Sequence, residues 1–192
     1  MKRIYLNEFN IVMGNTTYLP LVSGLLRAFS ETRETILKNY EFMPFLFHID
    51  NPYTILSNYH NPSVAAFSVS MWNEQLCLKI SKELKKNWPN CLIVFGGPQV
   101  PHYPKHYFAK YSFIDVAVRG EGEEQFANIL DRYLTSNIFS DLPGVSWRHP
   151  NSKQAVRNDE EQPFKRDLDY YTSPYLENLY DDLIANNSDK NF

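Results

Sequence analysis

Short apolar runs alternate along this chain with stretches whose apolar positions recur every three or four residues. Ile4 to Phe9, Phe45 to Phe47, Val64 to Ser70, Leu92 to Phe95 and Ile114 to Val118 read as strands. Between and after them, Leu19 to Phe29, Pro52 to Tyr59, Asn73 to Trp88, His106 to Tyr111 and Glu121 to Leu134 read as helices. Alternation of this kind predicts a parallel sheet covered on both faces. Val64 to Phe67 is continuously apolar, as suits a central strand. In Asn73 to Trp88, Leu76, Ile80 and Leu84 share one face, and the lysines gather near the end, where positive charge complements the helix dipole. Pro20 is tolerated in the first turn of its helix.

These elements predict a doubly wound α/β fold, Rossmann- or flavodoxin-like. Its five-stranded parallel sheet would carry helices on both faces. The polar stretch Ser30 to Tyr40 reads as a connector. After about Ser136 the texture changes. Val145 to Arg148 and Gln154 to Arg157 flank the turn-prone His149-Pro150-Asn151-Ser152, a small β-hairpin. Asp159 to Tyr171 reads as polar and extended, and Ser173-Pro174 opens a last helix through about Ile184. The expected division is therefore an α/β domain over 1–137 and a hairpin with linker over 138–192.

A chain of 192 residues can bury a sizeable core without metal or disulfide staples. Its 43% hydrophobic and 21% charged residues are an ordinary globular balance. The 15% of aromatics can fill a core or line a pocket for a large flat ligand. A net charge of −3 argues against a nucleic-acid partner. No apolar run approaches the roughly 20 residues that span a bilayer, and the N-terminus lacks a signal peptide's apolar stretch, so a cytoplasmic location without membrane attachment is expected. Cys77 and Cys91 fit no metal-binding spacing and read as buried thiols.

In an open parallel sheet, ligands bind beyond the carboxyl ends of the strands. Three such ends stand out. Ser68-Val69-Ser70 closes the third strand with hydroxyls that can meet a ligand, or cap the following helix. Gly96-Gly97 lets the backbone approach a ligand, or makes a tight turn. Arg119-Gly120-Glu121-Gly122-Glu123-Glu124 exposes backbone N–H groups at a helix start, while its acids oppose a highly charged phosphate.

Together, Val64-Ala65-Ala66-Phe67-Ser68-Val69-Ser70-Met71-Trp72-Asn73, Ile93-Val94-Phe95-Gly96-Gly97-Pro98 and Asp115-Val116-Ala117-Val118-Arg119-Gly120-Glu121-Gly122-Glu123 resemble the cobalamin-binding domain that precedes the catalytic barrel of cobalamin-dependent radical SAM enzymes. Leu142-Pro143-Gly144-Val145, Asp167-Leu168-Asp169 and Ser173-Pro174-Tyr175 resemble that family's linker into the barrel. The resemblance implies a corrin over the carboxyl end of the sheet, with its nucleotide tail running between sheet and helices. Asn15, Thr16, Ser68, Val69, Ser70, Met71, Trp72, Gly96, Gly97, Pro98, Gln99, Arg119, Gly120, Glu121 and Gly122 would contact the cofactor. It further implies a C-terminal radical SAM domain in the same polypeptide, with a 4Fe–4S cluster and S-adenosylmethionine. The parent enzyme would most commonly be a methyltransferase acting on a small molecule or peptide.

The chain departs from related cobalamin domains in two ways. The loop Asn10-Ile11-Val12-Met13-Gly14-Asn15-Thr16-Thr17 lacks the Asp-x-His-x-x-Gly motif whose histidine binds cobalt. His48, His60, His102 and His106 read instead as surface or capping residues. Cobalt would then be base-off with no protein ligand beneath it, or with water. Two cysteines also cannot hold an iron–sulfur cluster. The chain is therefore expected to be the cofactor module of a longer protein. A flavodoxin-like FMN-binding electron carrier and a stand-alone corrinoid carrier are the alternatives.

Overall fold

The computed structural model describes residues 1–158 and 167–192. In chain order, the elements are β1 (Lys2–Asn10), α1 (Leu21–Glu31), α2 (Glu34–Asn39), β2 (Tyr40–Phe42), β3 (Leu46–His48), α3 (Pro52–Leu56), β4 (Pro62–Ser68) and α4 (Glu74–Asn87). They continue with β5 (Leu92–Gly96), α5 (Lys105–Lys110), β6 (Val116–Val118), α6 (Glu123–Thr135), β7 (Val145–Arg148), β8 (Ala155–Arg157) and α7 (Asp181–Ala185). Period-two alternation sorts the strand side chains between two cores. Ile4, Leu6, Val64, Ala66, Leu92, Val94, Val116 and Val118 meet Phe29 of α1, Ile36 of α2, and Phe126, Ile129 and Leu130 of α6. Tyr5, Phe9, Ala65, Phe67, Ile93, Phe95 and Ala117 meet Ile55 of α3, Cys77, Ile80 and Leu84 of α4, and Phe108 of α5. This is the doubly wound α/β fold that the alternation predicts.

The sheet runs in the order β2-β1-β4-β5-β6-β7-β8, with β3 also on β1. β2 pairs with Lys2 to Ile4, and β3 with Asn7 and Asn10, so the two are halves of one edge position. Pro44 lies between them and has no N–H for a ladder. Five parallel positions result, but the sequence pattern puts α2 inside the polar connector Ser30 to Tyr40 and assigns no strand to Tyr40–Phe42. Three residues with Glu41 exposed are too short to show alternation.

Two further boundaries differ. The third predicted strand, β4, ends at Ser68, in register with Gly96. The Val69 N–H then donates to the Gly96 carbonyl at 2.7 Å, and the chain turns away. The expected hairpin is present as β7 and β8, and it extends the sheet antiparallel to β6 rather than standing apart. Trp147 and Phe139 stack edge-to-face at 5.7 Å within the first core. Near the C-terminus, turns replace most of the predicted helix, and only α7 is helical; Asn178 sits at φ 56° and interrupts it. Of the stretch read as extended from Asp159, residues 159–166 lie outside the described ones, and Leu168–Tyr170 makes one 3₁₀ turn. No helix among the described residues is long and apolar enough to cross a membrane.

From β1 the chain moves out to the β2/β3 edge and then returns to the other side of β1 at β4. That reversal is a topological switch point, and it opens a crevice at the carboxyl ends of β1 and β4.

Candidate functional site

One rule builds the cleft at this point. On four strands, the residue two positions beyond a core side chain sits on the same face and is small or polar. Leu6 is followed by Glu8, Ala66 by Ser68, Val94 by Gly96, and Val118 by Gly120. Leu6, Ala66 and Val94 lie in register, and so do Ser68 and Gly96. Across β1, β4 and β5 the sheet thus changes along one line from a packed core to Glu8, Ser68 and Gly96, and Gly120, just past the end of β6, follows one step further out. Val22, Ser23 and Leu26 of α1 and Phe126 of α6 form the opposite wall. The space between is about 450 Å³.

Charge in the cleft has one sign. Glu8, Glu121 and Glu123 line it, and no lysine, arginine or histidine does among the described residues. Glu8 is buried, and its Oε2 accepts the Ser23 N–H at 2.8 Å. The N-cap residue Pro20 offers no side-chain cap to α1, and a carboxylate from β1 fills the anion-binding position at that helix start. Burial raises the Glu8 carboxyl above its ordinary value despite this bond. Burial likewise raises Glu123, with Glu121 nearby adding to the effect. An anion at the start of α1 would compete with Glu8 for the Ser23 N–H.

Two further features hold the strand ends. The buried Asn73 donates from Nδ2 to the carbonyls of Phe9 and Ser68, each at 3.0 Å, and its Oδ1 accepts the Ser70 N–H at 2.9 Å. It ties β1, β4 and the turn after β4 together, so Ser70 is not the cap of α4. No hydrogen bond within the described residues engages the hydroxyls of Ser68 and Ser70, which line the cleft. The two glycines at the end of β5 differ. A Cβ on Gly96 would meet nothing within 4 Å. Gly97 has φ +99°, and a Cβ there would lie 2.7 Å from the Val69 carbonyl oxygen. Gly97 makes room for the chain itself, whereas Gly96 leaves the cleft open.

The structure therefore brings together Ser68, Ser70, Trp72, Gly96, Gly97, Pro98, Gly120, Glu121 and Gly122. It does not bring the other predicted residues to the cleft. Val69 and Gln99 form a backbone latch, with the Gln99 N–H on the Val69 carbonyl at 3.2 Å. Met71 is 76% exposed beside the rim. Arg119 turns towards the hairpin, where it donates to Ser146 Oγ and the Asn158 carbonyl. Asn15 and Thr16 lie in a turn joined to Asp189 and Asn191. Asn7, Glu8, Asn10, Ser23 and Asn73 line the cleft without having been predicted. Both cysteines are buried free thiols, pushed up to about 12 by burial. No cluster of metal-ligating residues exists among the described ones.

A cleft lined by no lysine, arginine or histidine among the described residues, at the switch point of a doubly wound sheet, is suited to a mainly neutral organic ligand. Residues 55–130 match the B12 binding domain family. The chain is 32% identical over 185 residues to a 2-(S-pantetheinyl)-carbapenam-3-carboxylate methyltransferase of Streptantibioticus cattleyicolor, covering 96% of this chain and 26% of that protein. It is 35% identical over 169 residues to the cobalamin-dependent radical SAM methyltransferase TokK of Streptomyces tokunonensis, covering 88% of this chain and 24% of TokK. Among solved structures, the radical S-adenosylmethionine methyltransferase TsrM of Kitasatospora setae, with cobalamin and a 4Fe–4S cluster bound, aligns over 90% of this chain and 31% of that one. The TM-score is 0.63 and the identity 17%. Apo OxsB, a cobalamin-dependent S-adenosylmethionine radical enzyme, aligns over 85% of this chain and 23% of that one, with TM-score 0.63 and 16% identity. The chain thus carries a match to the B12 binding domain over residues 55–130 and is similar along most of its length to cobalamin-dependent radical SAM methyltransferases. It spans about a quarter of the length of the curated relatives it matches.

Proposed function

We propose that the chain binds cobalamin base-off, with the nucleotide tail in the cleft between the sheet and α1 and α6, and with no histidine below cobalt. The observation that carries this is the row Glu8, Ser68, Gly96 and Gly120, two residues beyond the core on four strands and lining a single cleft. Its volume of about 450 Å³ lies within the usual range of small-molecule sites, roughly 300–1,000 Å³. The free hydroxyls of Ser68 and Ser70 can hydrogen-bond the phosphodiester, the ribose or the base of such a tail. A corrin is too large for that space and is left to the rim, where Trp72 is 53% exposed and Met71 76%.

Bound cobalamin would supply a cobalt centre able to accept and pass on a methyl group. The chain's own residues position it and set its surroundings. In this reading 1–137 is the cofactor-binding unit, and 138–192 leads towards a radical SAM domain of the same polypeptide. That domain would hold the 4Fe–4S cluster and S-adenosylmethionine, and the whole protein would methylate a small molecule or peptide. The test is a titration with hydroxocobalamin followed by visible absorption. Micromolar or tighter binding with a base-off spectrum is expected. A protein that stays colourless, or a base-on spectrum, contradicts the proposal.

A further inference from the structure

The last residues of the chain run across the outside of α1 and reach both walls of the cleft. Tyr170 and Tyr171 pack their rings on Phe29 at 5.5 and 5.9 Å. The Tyr171 hydroxyl donates to Glu121 Oε2 at 2.5 Å, and Glu121 lines the cleft. Further on, the Tyr180 hydroxyl donates to the Pro20 carbonyl at 3.1 Å. Tyr180 fills a notch that exists because residue 24 is glycine: a Cβ there would lie 1.9 Å from the Tyr180 hydroxyl oxygen. The end of the chain then pairs with the loop between β1 and α1. The Thr17 N–H donates to the Asn191 carbonyl at 3.0 Å, the Asn191 N–H to the Asn15 carbonyl at 2.9 Å, and Asn15 Nδ2 to the Asp189 carbonyl at 2.6 Å.

We propose that residues 167–192 form a strap whose docking is coupled to filling of the cleft. The inference rests on the cobalamin reading and adds to it a device outside the site. The face of α1 that lines the cleft carries Val22, Ser23 and Leu26, while Gly24 and Phe29 meet the strap. The helix is thus held between ligand and strap. Any ligand seated against Leu26 needs α1 in place, and the strap fixes α1 at Pro20, Gly24 and Phe29. The same ligand needs Glu121 oriented, and Tyr171 orients it. Tyr171 and Tyr180 are positioning residues, since neither lines the cleft. Each process favours the other by the same factor, because coupling between two binding equilibria is reciprocal.

The test uses the whole 192-residue chain. Hydrogen exchange is followed at residues 167–192 with and without saturating hydroxocobalamin. The affinity of Tyr171→Phe is compared with that of the unaltered chain. The ligand is expected to slow exchange in the strap, at Asn191 in particular. Tyr171→Phe should weaken binding about tenfold, within the usual span of such couplings. A merely structural tyrosine would lower stability without linking strap exchange to the ligand. Binding with unchanged strap exchange, or with equal affinity for Tyr171→Phe, overturns the strap and leaves the cobalamin reading standing. Failure of the unaltered chain to bind overturns both.

Discussion

Substituting Gly96 and Gly97 at the end of β5 should give opposite phenotypes, although they are neighbours in sequence. Gly96 is the last residue of β5, has an ordinary negative φ, and has open space where a Cβ would stand. In Gly96→Val the side chain is added at a residue that lines the cleft, and its Cβ would meet no protein atom within 4 Å. Replacing a strand glycine removes backbone entropy from the unfolded chain, so stability should rise by about 0.5–1 kcal/mol. Filling ligand space costs binding instead. Overpacking of a fitted site typically costs 1–3 kcal/mol, which corresponds to a roughly 5- to 150-fold loss of cobalamin affinity. Gly97→Ala inverts the result. Its φ of +99° disfavours any side chain, and the Cβ would meet Val69 backbone atoms at 2.7 and 2.9 Å. Strain of that kind alone costs about 1–3 kcal/mol of stability. Urea denaturation and hydroxocobalamin titration of both variants separate the two effects. If Gly96→Val binds as tightly as the unaltered protein, the tail does not occupy this cleft.

Two further perturbations test the supports of the site. Asn73→Ala leaves the buried carbonyl of Phe9 and the N–H of Ser70 without their partner, and should lower stability by about 1–3 kcal/mol in denaturant; no loss would mean that the strand ends are held by other contacts. The Glu8 carboxyl is raised by burial, so the folded protein holds that proton more tightly than the unfolded chain does, and ionisation opposes folding. Below the ordinary carboxylate value of 4.5 the penalty is absent; it grows as the pH rises through the raised folded value, then levels off. Glu8→Gln, whose amide oxygen can still accept the Ser23 N–H, should therefore gain on the unaltered protein across that window, as measured by denaturation over a pH series. A stability difference that is flat with pH would show that burial does not perturb this carboxyl.

The parts of this architecture written in local patterns were legible in the sequence. Alternating apolar runs and helical stretches gave the doubly wound class, and Ser68, Gly96 and Gly120 stood out as small residues at strand ends. Glu8 escaped notice because an acid within an apolar strand reads as a solvent-facing residue. The available signal was its spacing of two from Leu6, together with a following helix that has no side-chain cap of its own. The short β2 carried no readable alternation. The role of Gly97 depends on Val69, far away in sequence, so the glycine was visible but its partner was not. The strap was least legible of all: Tyr171 meets Glu121 and Tyr180 meets Gly24 across long separations that leave no periodic trace.

The central claim is that the nucleotide tail, held in the cleft along Glu8, Ser68, Gly96 and Gly120, supplies much of the affinity. Cobinamide carries the corrin without that tail, so comparing its dissociation constant with that of cobalamin on the same protein isolates the contribution. Cobalamin should bind at least about 100-fold more tightly, a difference of roughly 2.7 kcal/mol. Equal affinity for the two would contradict the account.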